Sequence, residues 1–354
     1  MTEQTASKPA VSTMKELHGD SAFSDMIWLL SGLPIAYMLQ TVAELGIADE
    51  LVAEPLPVEE LAERTGSDAD ALYRVLRGVA TKGVFTEVAH RTFGLTPLGD
   101  ILRSDVPNSL RDAFRMHGQQ CMRDTYAETA YSVRTGKPAF EHVNGAPLFP
   151  YFAQRPDLKD LFASFTGTAA LRMQLAAAET CDLTGVHRLV DVGELHGRLL
   201  ATLLVRYPHL EAVYADQPFA VPGAEQAFRE AGVAGRVEVV AGDYLRSIPP
   251  DGDVYLLPQL LHRLSDTDAV TVLAGIARVM SPAGKVLVID PVLPEGDLPH
   301  LAKVLDCTQL LLGPIRDRTE AEFRELFEEA GLRLAGISGR ALPSSVLVAL
   351  PRPR

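Results

Sequence analysis

From Arg188 to its C-terminus the chain alternates short β-branched runs with segments of helical period, and no other feature constrains the fold as strongly. The runs are R-L-V-D-V (Arg188 to Val192), A-V-Y-A-D (Ala212 to Asp216), V-E-V-V (Val237 to Val240), D-V-Y-L-L (Asp253 to Leu257) and K-V-L-V-I-D (Lys285 to Asp290). Helical segments expected from Arg198, Ala224 and Asp266 lie between them. Strands that are apolar on both faces and joined by helices predict an α/β domain with a mostly parallel sheet, covered on both sides. A last pair, L-R-L-A-G-I-S and S-S-V-L-V-A-L, follows a helix expected near Thr319 and is joined only by G-R-A-L-P. That connection is too short for a crossover, so one of the two strands must run antiparallel to its neighbour.

In such a sheet the ligand lies beyond the carboxyl ends of the strands. Those ends supply Asp191 and Gly193, then Asp216, then Asp243, then the segment from Pro258 to His262. The stretch L-V-D-V-G-E-L-H-G-R-L-L reads as a nucleotide-binding strand, loop and helix, in which glycines let the backbone curl and approach a ligand. Gly193 and Gly197 remain, but Glu194, Leu195 and His196 stand between them. Asp216 is placed to accept hydrogen bonds from ribose hydroxyls, and Asp243 in A-G-D-Y to meet an adenine edge. Each aspartate alone also suits a helix cap or turn; the joint placement points to a nucleotide.

Residues 1–20 are polar and aperiodic and are expected to form a flexible tail. Asp25 to Leu51 is apolar around much of a helical circumference, interrupted near Pro34 and closed by Gly46, which predicts burial in a core or against a second copy in a homodimer. Pro57 to Thr65 and Asp68 to Lys82 read as two helices, followed by V-F-T-E-V and R-T-F-G-L as a two-stranded wing. A winged-helix module over 21–109 serves DNA binding, through Arg74, Arg77 and Lys82, or dimerisation. The net charge of −13 argues against nucleic acid and against an anionic membrane surface. A helical segment over 110–180 carries aromatic and Met residues suited to walling an apolar substrate pocket, and the sheet domain occupies 181–354. No apolar run approaches membrane-spanning length and no secretory h-region is present, so a cytoplasmic location is expected. Cys121, Cys181 and Cys307 are odd in number and far apart, and no Cys/His spacing implies a metal.

From about residue 25 onward the chain resembles the small-molecule O-methyltransferases of plant phenolics and bacterial polyketides. The resemblance rests on A-E-L-G-I-A-D-E-L, the loop at Asp191, R-V-E-V-V-A-G-D-Y, D-V-Y-L-L followed by L-L-H, D-T-D-A-V and R-D-R-T-E-A-E-F. It implies a winged-helix dimerisation region and a Rossmann-like class I methyltransferase domain with a seven-stranded sheet, which binds S-adenosylmethionine (SAM). It also implies a cofactor set of Asp191, Gly193, Gly197, Asp216, Asp243 and Tyr244, and a substrate pocket drawing on Met116, Met122, Phe152, Phe162, Phe165 and Leu310. His262 takes the place of the catalytic base, an imidazole whose ordinary pKa suits proton removal near neutrality, and Asp317 that of the acid orienting it.

Three departures from the family pattern fall on one side of the expected cofactor. Glu194 and Leu195 interrupt the glycine loop, Pro258 replaces a frequent lysine, and Arg263 replaces the aspartate that usually follows the histidine. A strained non-glycine turn and an unbalanced charge sum to about 4 kcal/mol, roughly a thousandfold in affinity. The leading expectation is therefore a tailoring enzyme diverged to SAM-independent acid/base chemistry by His262, with Asp317 and Arg263: a cyclisation, rearrangement, elimination or decarboxylation. An active SAM-dependent O-methyltransferase and a silent binding homologue stand as alternatives.

Overall fold

The structure is a computed structural model that describes residues 22–193, 197–340 and 343–353; within it nothing is said of the side chains of residues 166 and 168–170. The expected tail therefore lies outside the described residues. The chain divides into two compact units, Met1–Gly118 and Gln119–Arg354.

The first unit opens with helices Ala22–Leu30 and Gly32–Glu44. The break falls at Ser31, and Pro34 sits in the first turn of the second helix, where its missing N–H costs nothing. Phe23, Met26, Leu29, Leu30 and Leu33 are all exposed, while Val42, Ala43, Ile47, Ala48 and Leu51 are buried, so the burial expected for this stretch is met within the first unit over its second half only. Ala22–Glu44 is in fact long and apolar enough to cross a membrane by length and composition alone, which corrects the expectation that no such run exists. Helices Val58–Thr65 and Ala69–Ala80 follow, the second capped by the Asp68 carboxylate accepting from Ala71 N at 2.8 Å. Strands Phe85–Ala89 and Thr92–Leu95 form the antiparallel ribbon, to which Leu56–Pro57 adds a third short strand. Leu61, Leu72, Leu76, Val79, Phe85 and Phe93 fill the core of this unit. Helix Arg111–His117 belongs here too rather than with the helices after it, because Arg111 Nε donates to Ala43 O at 3.0 Å and Arg115 pairs with Glu44 at 2.9 Å.

The second unit is built on a seven-stranded sheet: β1 (Arg188–Val192), β2 (Glu211–Asp216), β3 (Val237–Ala241), β4 (Val254–Pro258), β5 (Lys285–Asp290), β6 (Leu332–Ser338) and β7 (Ser345–Pro351). The spatial order is β3-β2-β1-β4-β5-β7-β6. Only β7 is reversed, pairing antiparallel with both β5 and β6, as the short final connection requires. Alternation explains the unbroken apolar runs. Val190, Val192, Tyr255, Leu257, Val286 and Val288 enter the core under helices Asp266–Val279 and Glu320–Glu329. Leu189, Val254, Leu256, Leu287 and Ile289 enter the opposite core, under helices Arg198–Arg206 and Val221–Glu230. The latter helix starts before Ala224 because Pro222 occupies its first turn. Sequential order reverses between β1 and β4, and a sheet of this kind opens its binding crevice at that point.

Candidate active site

Gly193 follows β1 with φ 76°, its N–H donating to Ala215 O at 3.0 Å; a Cβ there would sit 2.8 Å from Leu260. Gly197 caps the next helix at φ 64°, and a Cβ would meet Phe228 at 2.8 Å and Ala224 at 2.9 Å. Both glycines are thus required by backbone geometry and close packing. Glu194, Leu195 and His196, the residues that interrupt the loop, lie outside the described residues. Arg198, a candidate counter-charge for Glu194, lies against Gly167 of helix Pro156–Ala178.

Asp191 is buried at the end of β1. At the end of β2 the Asp216 carboxylate accepts from Tyr214 Oη at 2.9 Å and from Gln217 N at 2.7 Å, which fixes its orientation. Asp243, beyond β3, accepts from Leu245 N at 3.0 Å and pairs with Arg246 at 3.4 Å. Burial raises the Tyr244 phenol above its ordinary value.

The strongest constellation lies past β4. Pro258 ends that strand, and Gln259 turns the chain out of the sheet at φ 50°, a strained position held by Gln259 N donating to Ile289 O at 2.7 Å and by Gln174 Nε2 donating to Gln259 Oε1 at 3.2 Å. The short turn Leu261–Arg263 then carries His262. Buried Arg318 staples this turn, donating to Leu261 O at 2.6 Å, to Leu264 O at 2.8 Å and to Asp266. Arg316 N binds His262 O at 2.9 Å.

His262 Nδ1 lies 3.2 Å from Asp317 Oδ1, as the reading of His262 and Asp317 requires. With Nδ1 protonated toward the carboxylate, Nε2 is left as the proton acceptor. Asp317 is itself held by Gln309 Nε2 at 3.2 Å. A second carboxylate, Asp290 at the end of β5, stands 3.9 Å from the same Nδ1. It is wholly buried, neither of its oxygens has a hydrogen-bond partner among the described residues, and burial pushes its pKa up to about 6. Sequence reasoning read Asp290 only as the end of a strand; its position at a strand's carboxyl end was the available signal.

Arg263, expected beside His262 as an acid, base or hydrogen-bond donor, points at two backbone carbonyls. Its Nε donates to Gln259 O at 2.7 Å and its Nη2 to Gly193 O, so it bridges β4 and the loop after β1. A cavity of about 190 Å³ lies beside it, walled by Pro138, Leu148, Phe149, Leu312, Pro314 and Ile315. None of the expected pocket residues lines it. Phe152 and Phe162 stack on each other at 4.4 Å and Met122 is buried, as core residues are, while Met116 belongs to the first unit. Phe165 and Leu310 are half-buried in the second unit and are absent from the cavity wall. This cavity's wall comes from short helices and the loop before Asp317, whose sequences carry no periodic signal. Among the described residues no group of His, Cys, Asp or Glu is arranged to hold a metal ion.

The O-methyltransferase domain family matches residues 126–333, and the O-methyltransferase dimerisation domain matches residues 28–105. The chain belongs to the O-methyltransferase family. Phenazine O-methyltransferase PhzM of Lysobacter antibioticus is 36% identical over 328 residues, covering 93% of this chain and 96% of that protein. The crystal structure of CalO1, a methyltransferase in calicheamicin biosynthesis in its S-adenosylhomocysteine (SAH)-bound form, superposes with a TM-score of 0.86 at 34% identity, over 94% of this chain and 100% of that one. Aclacinomycin 10-hydroxylase RdmB of Streptomyces purpurascens is 31% identical over 86% of this chain and 83% of its own length. The family thus carries the class I, Rossmann-like methyltransferase fold with an N-terminal helical dimerisation domain, and its members include natural-product tailoring methyltransferases. The expectation of SAM-independent chemistry gains no support from these relatives, and the alternative of methyl transfer fits them better.

Proposed function

We propose that this protein is a SAM-dependent O-methyltransferase that tailors a small hydroxylated aromatic natural product, acting as a homodimer in the cytoplasm. The observation that carries the reading is the His262 and Asp317 pair, 3.2 Å apart at the sheet's carboxyl edge, on the same edge as Asp216 and Asp243. Asp216 suits the ribose diol because its carboxylate is held in a fixed orientation at the end of β2 by Tyr214 Oη and Gln217 N. Asp243 and Tyr244 suit the adenine, and Gly193 and Gly197 offer close backbone approach. When bound, SAM supplies an electrophilic methyl group. His262 takes the proton from the substrate hydroxyl at Nε2, Asp317 fixes the tautomer and stabilises the imidazolium that forms, and Asp290 adds negative potential behind it. The exposed apolar face of Ala22–Leu30 and Gly32–Glu44 is the surface through which two copies would pair.

Calorimetry with SAM and SAH, followed by methyl-transfer assays on a panel of phenols and naphthols, tests this. Micromolar binding and turnover that His262→Gln abolishes while SAH binding persists would support it. Absence of SAM binding at millimolar concentration would overturn it. That result would favour a second reading, acid/base chemistry without methyl donation, for which the specific observation is Arg263 resting on the Gly193 carbonyl.

A further inference from the structure

Arg263 carries a charge that the described part of the fold does not pair. Its two hydrogen bonds go to the neutral carbonyls of Gln259 and Gly193. Among the described residues no carboxylate forms an ion pair with it, whereas Arg318 in the neighbouring loop pairs with Asp266 and Arg188 with Glu238. Arg236, another arginine of this unit that binds only carbonyls among the described residues, reaches four of them. Arg263 reaches two, and its Nη1 has no acceptor. Burial disfavours the charged guanidinium, and Tyr244, Asp216 and Asp290 offset that only through longer-range attraction. An arginine stays protonated all the same, so this part-buried guanidinium keeps capacity for an anion.

The two carbonyls fix the direction of the side chain, and Arg263 forms part of the wall of the apolar cavity beside the His262 turn. Glu141 lies on the same wall but is exposed and outside ion-pair distance. At about 190 Å³ the space exceeds the roughly 150 Å³ that accommodates benzene, so a substituted single ring fits. A planar guanidinium at the end of an apolar slot matches a carboxylate in two-point contact.

We propose that Arg263 recognises a carboxylate of the substrate, and that the substrate is a hydroxylated aromatic acid presented to His262 by that contact. The assignment of the acceptor hydroxyl rests on the methyltransferase reading above; the carboxylate contact does not. The test is calorimetry on the full-length protein, with and without SAH, using 4-hydroxybenzoate and its methyl ester as probes. Wild-type protein should bind the acid roughly tenfold or more tightly than the ester. Arg263→Met should reduce that preference to below about twofold and Arg263→Lys should keep part of it, with thermal melting of each variant confirming the fold. Equal binding of acid and ester by the wild type, or a preference that survives Arg263→Met, would overturn the proposal. A second arm compares SAH with 5′-methylthioadenosine, which lacks the amino-acid carboxylate. If Arg263→Met weakens SAH selectively and leaves the acid preference intact, the residue serves the cofactor and the proposal fails. A protein that binds neither SAM nor SAH yet keeps an Arg263-dependent acid preference would sink the methyltransferase reading alone and support the carboxylate site.

Discussion

Replacing Asp290 by Asn should stabilise the protein at neutral pH, by an amount that the burial of this carboxylate sets. Asp290 is wholly enclosed at the end of β5 with neither oxygen hydrogen-bonded among the described residues, and its pKa is raised from 3.8 to about 6, chiefly by burial and further by Asp317; His262, Arg263 and Arg318 pull the other way. A folded-state pKa above the unfolded one means that the fold favours the neutral acid. The stability that follows is fully present below about pH 4 and is lost as pH rises through about 6. A displacement of about two pH units at ~1.36 kcal/mol each gives a penalty of about 3 kcal/mol at pH 7.5. Asn resembles the neutral acid at every pH, so the gain of Asp290→Asn over wild type should be near zero at pH 4 and approach about 3 kcal/mol above pH 7. Urea melts of both proteins at pH 4, 5, 6 and 7.5 read this directly. A gain that does not depend on pH, or a loss at pH 7.5, would refute the burial argument. On the methyltransferase reading the same variant should lose turnover, because the charge that stabilises the His262 imidazolium has gone.

Asp317→Asn should lower kcat by on the order of 10² to 10⁴ with little change in KM, since an amide no longer enforces the Nδ1–H tautomer; steady-state kinetics with a pH profile distinguish this from a folding defect. Gly197→Ala should destabilise by at least about 2 kcal/mol in urea, because φ 64° is combined with a Cβ 2.8 Å from Phe228. A change under about 0.5 kcal/mol would mean that the helix shifts freely at that point. Met26→Asp with Leu30→Asp, both at exposed positions, should leave the fold intact and convert the proposed homodimer to monomer in light scattering.

The sheet was legible because its short runs are apolar at most inner positions and alternate with helical segments, the pattern of strands covered on both faces. Leu189 and Val190 enter opposite cores, so neither can be polar. The reversed β7 was legible from chain length alone. His262 and Asp317 were legible through the resemblance, and both fall where the turn geometry brings them together. Asp290 was missed because a strand-terminal aspartate looks the same in sequence whether it caps a turn or sits orphaned behind a histidine. The wall of the cavity beside Arg263 was not legible for a different reason. Met122, Phe152 and Phe162 are large and apolar enough for a pocket, but such residues pack equally well on one another, and here Phe152 stacks on Phe162. Residues such as Pro314 and Ile315 come from irregular segments, where no period indicates which side chain faces inward. The apolar Asp25 to Leu51 stretch announced burial as a need that its second half meets in the first unit's core, through Val42, Ile47, Ala48 and Leu51, while Met26, Leu29 and Leu30 of its first half stay exposed.

The charges at the sheet's edge bear on whether Arg263 and a cationic methyl donor can share one site. Arg263 is attracted by Asp216 and Asp290, Tyr244 feels both Asp216 and Asp243, and Asp290 feels both His262 and Asp317. Asp216, Asp243, Asp266, Asp290 and Asp317 outnumber Arg246, Arg263 and Arg318 among them, so the edge as a whole favours positive charge. A sulfonium is therefore not excluded by Arg263 on electrostatic grounds; the arginine removes only part of a negative field supplied by several strands. What it takes up is more specific: the carbonyl of Gly193 and the volume beside it. The conflict between Arg263 and SAM is thus one of place more than of charge. A side chain anchored by two hydrogen bonds to neutral carbonyls can yield such a place at a cost of roughly 1 to 3 kcal/mol, a fraction of the binding energy of a micromolar cofactor.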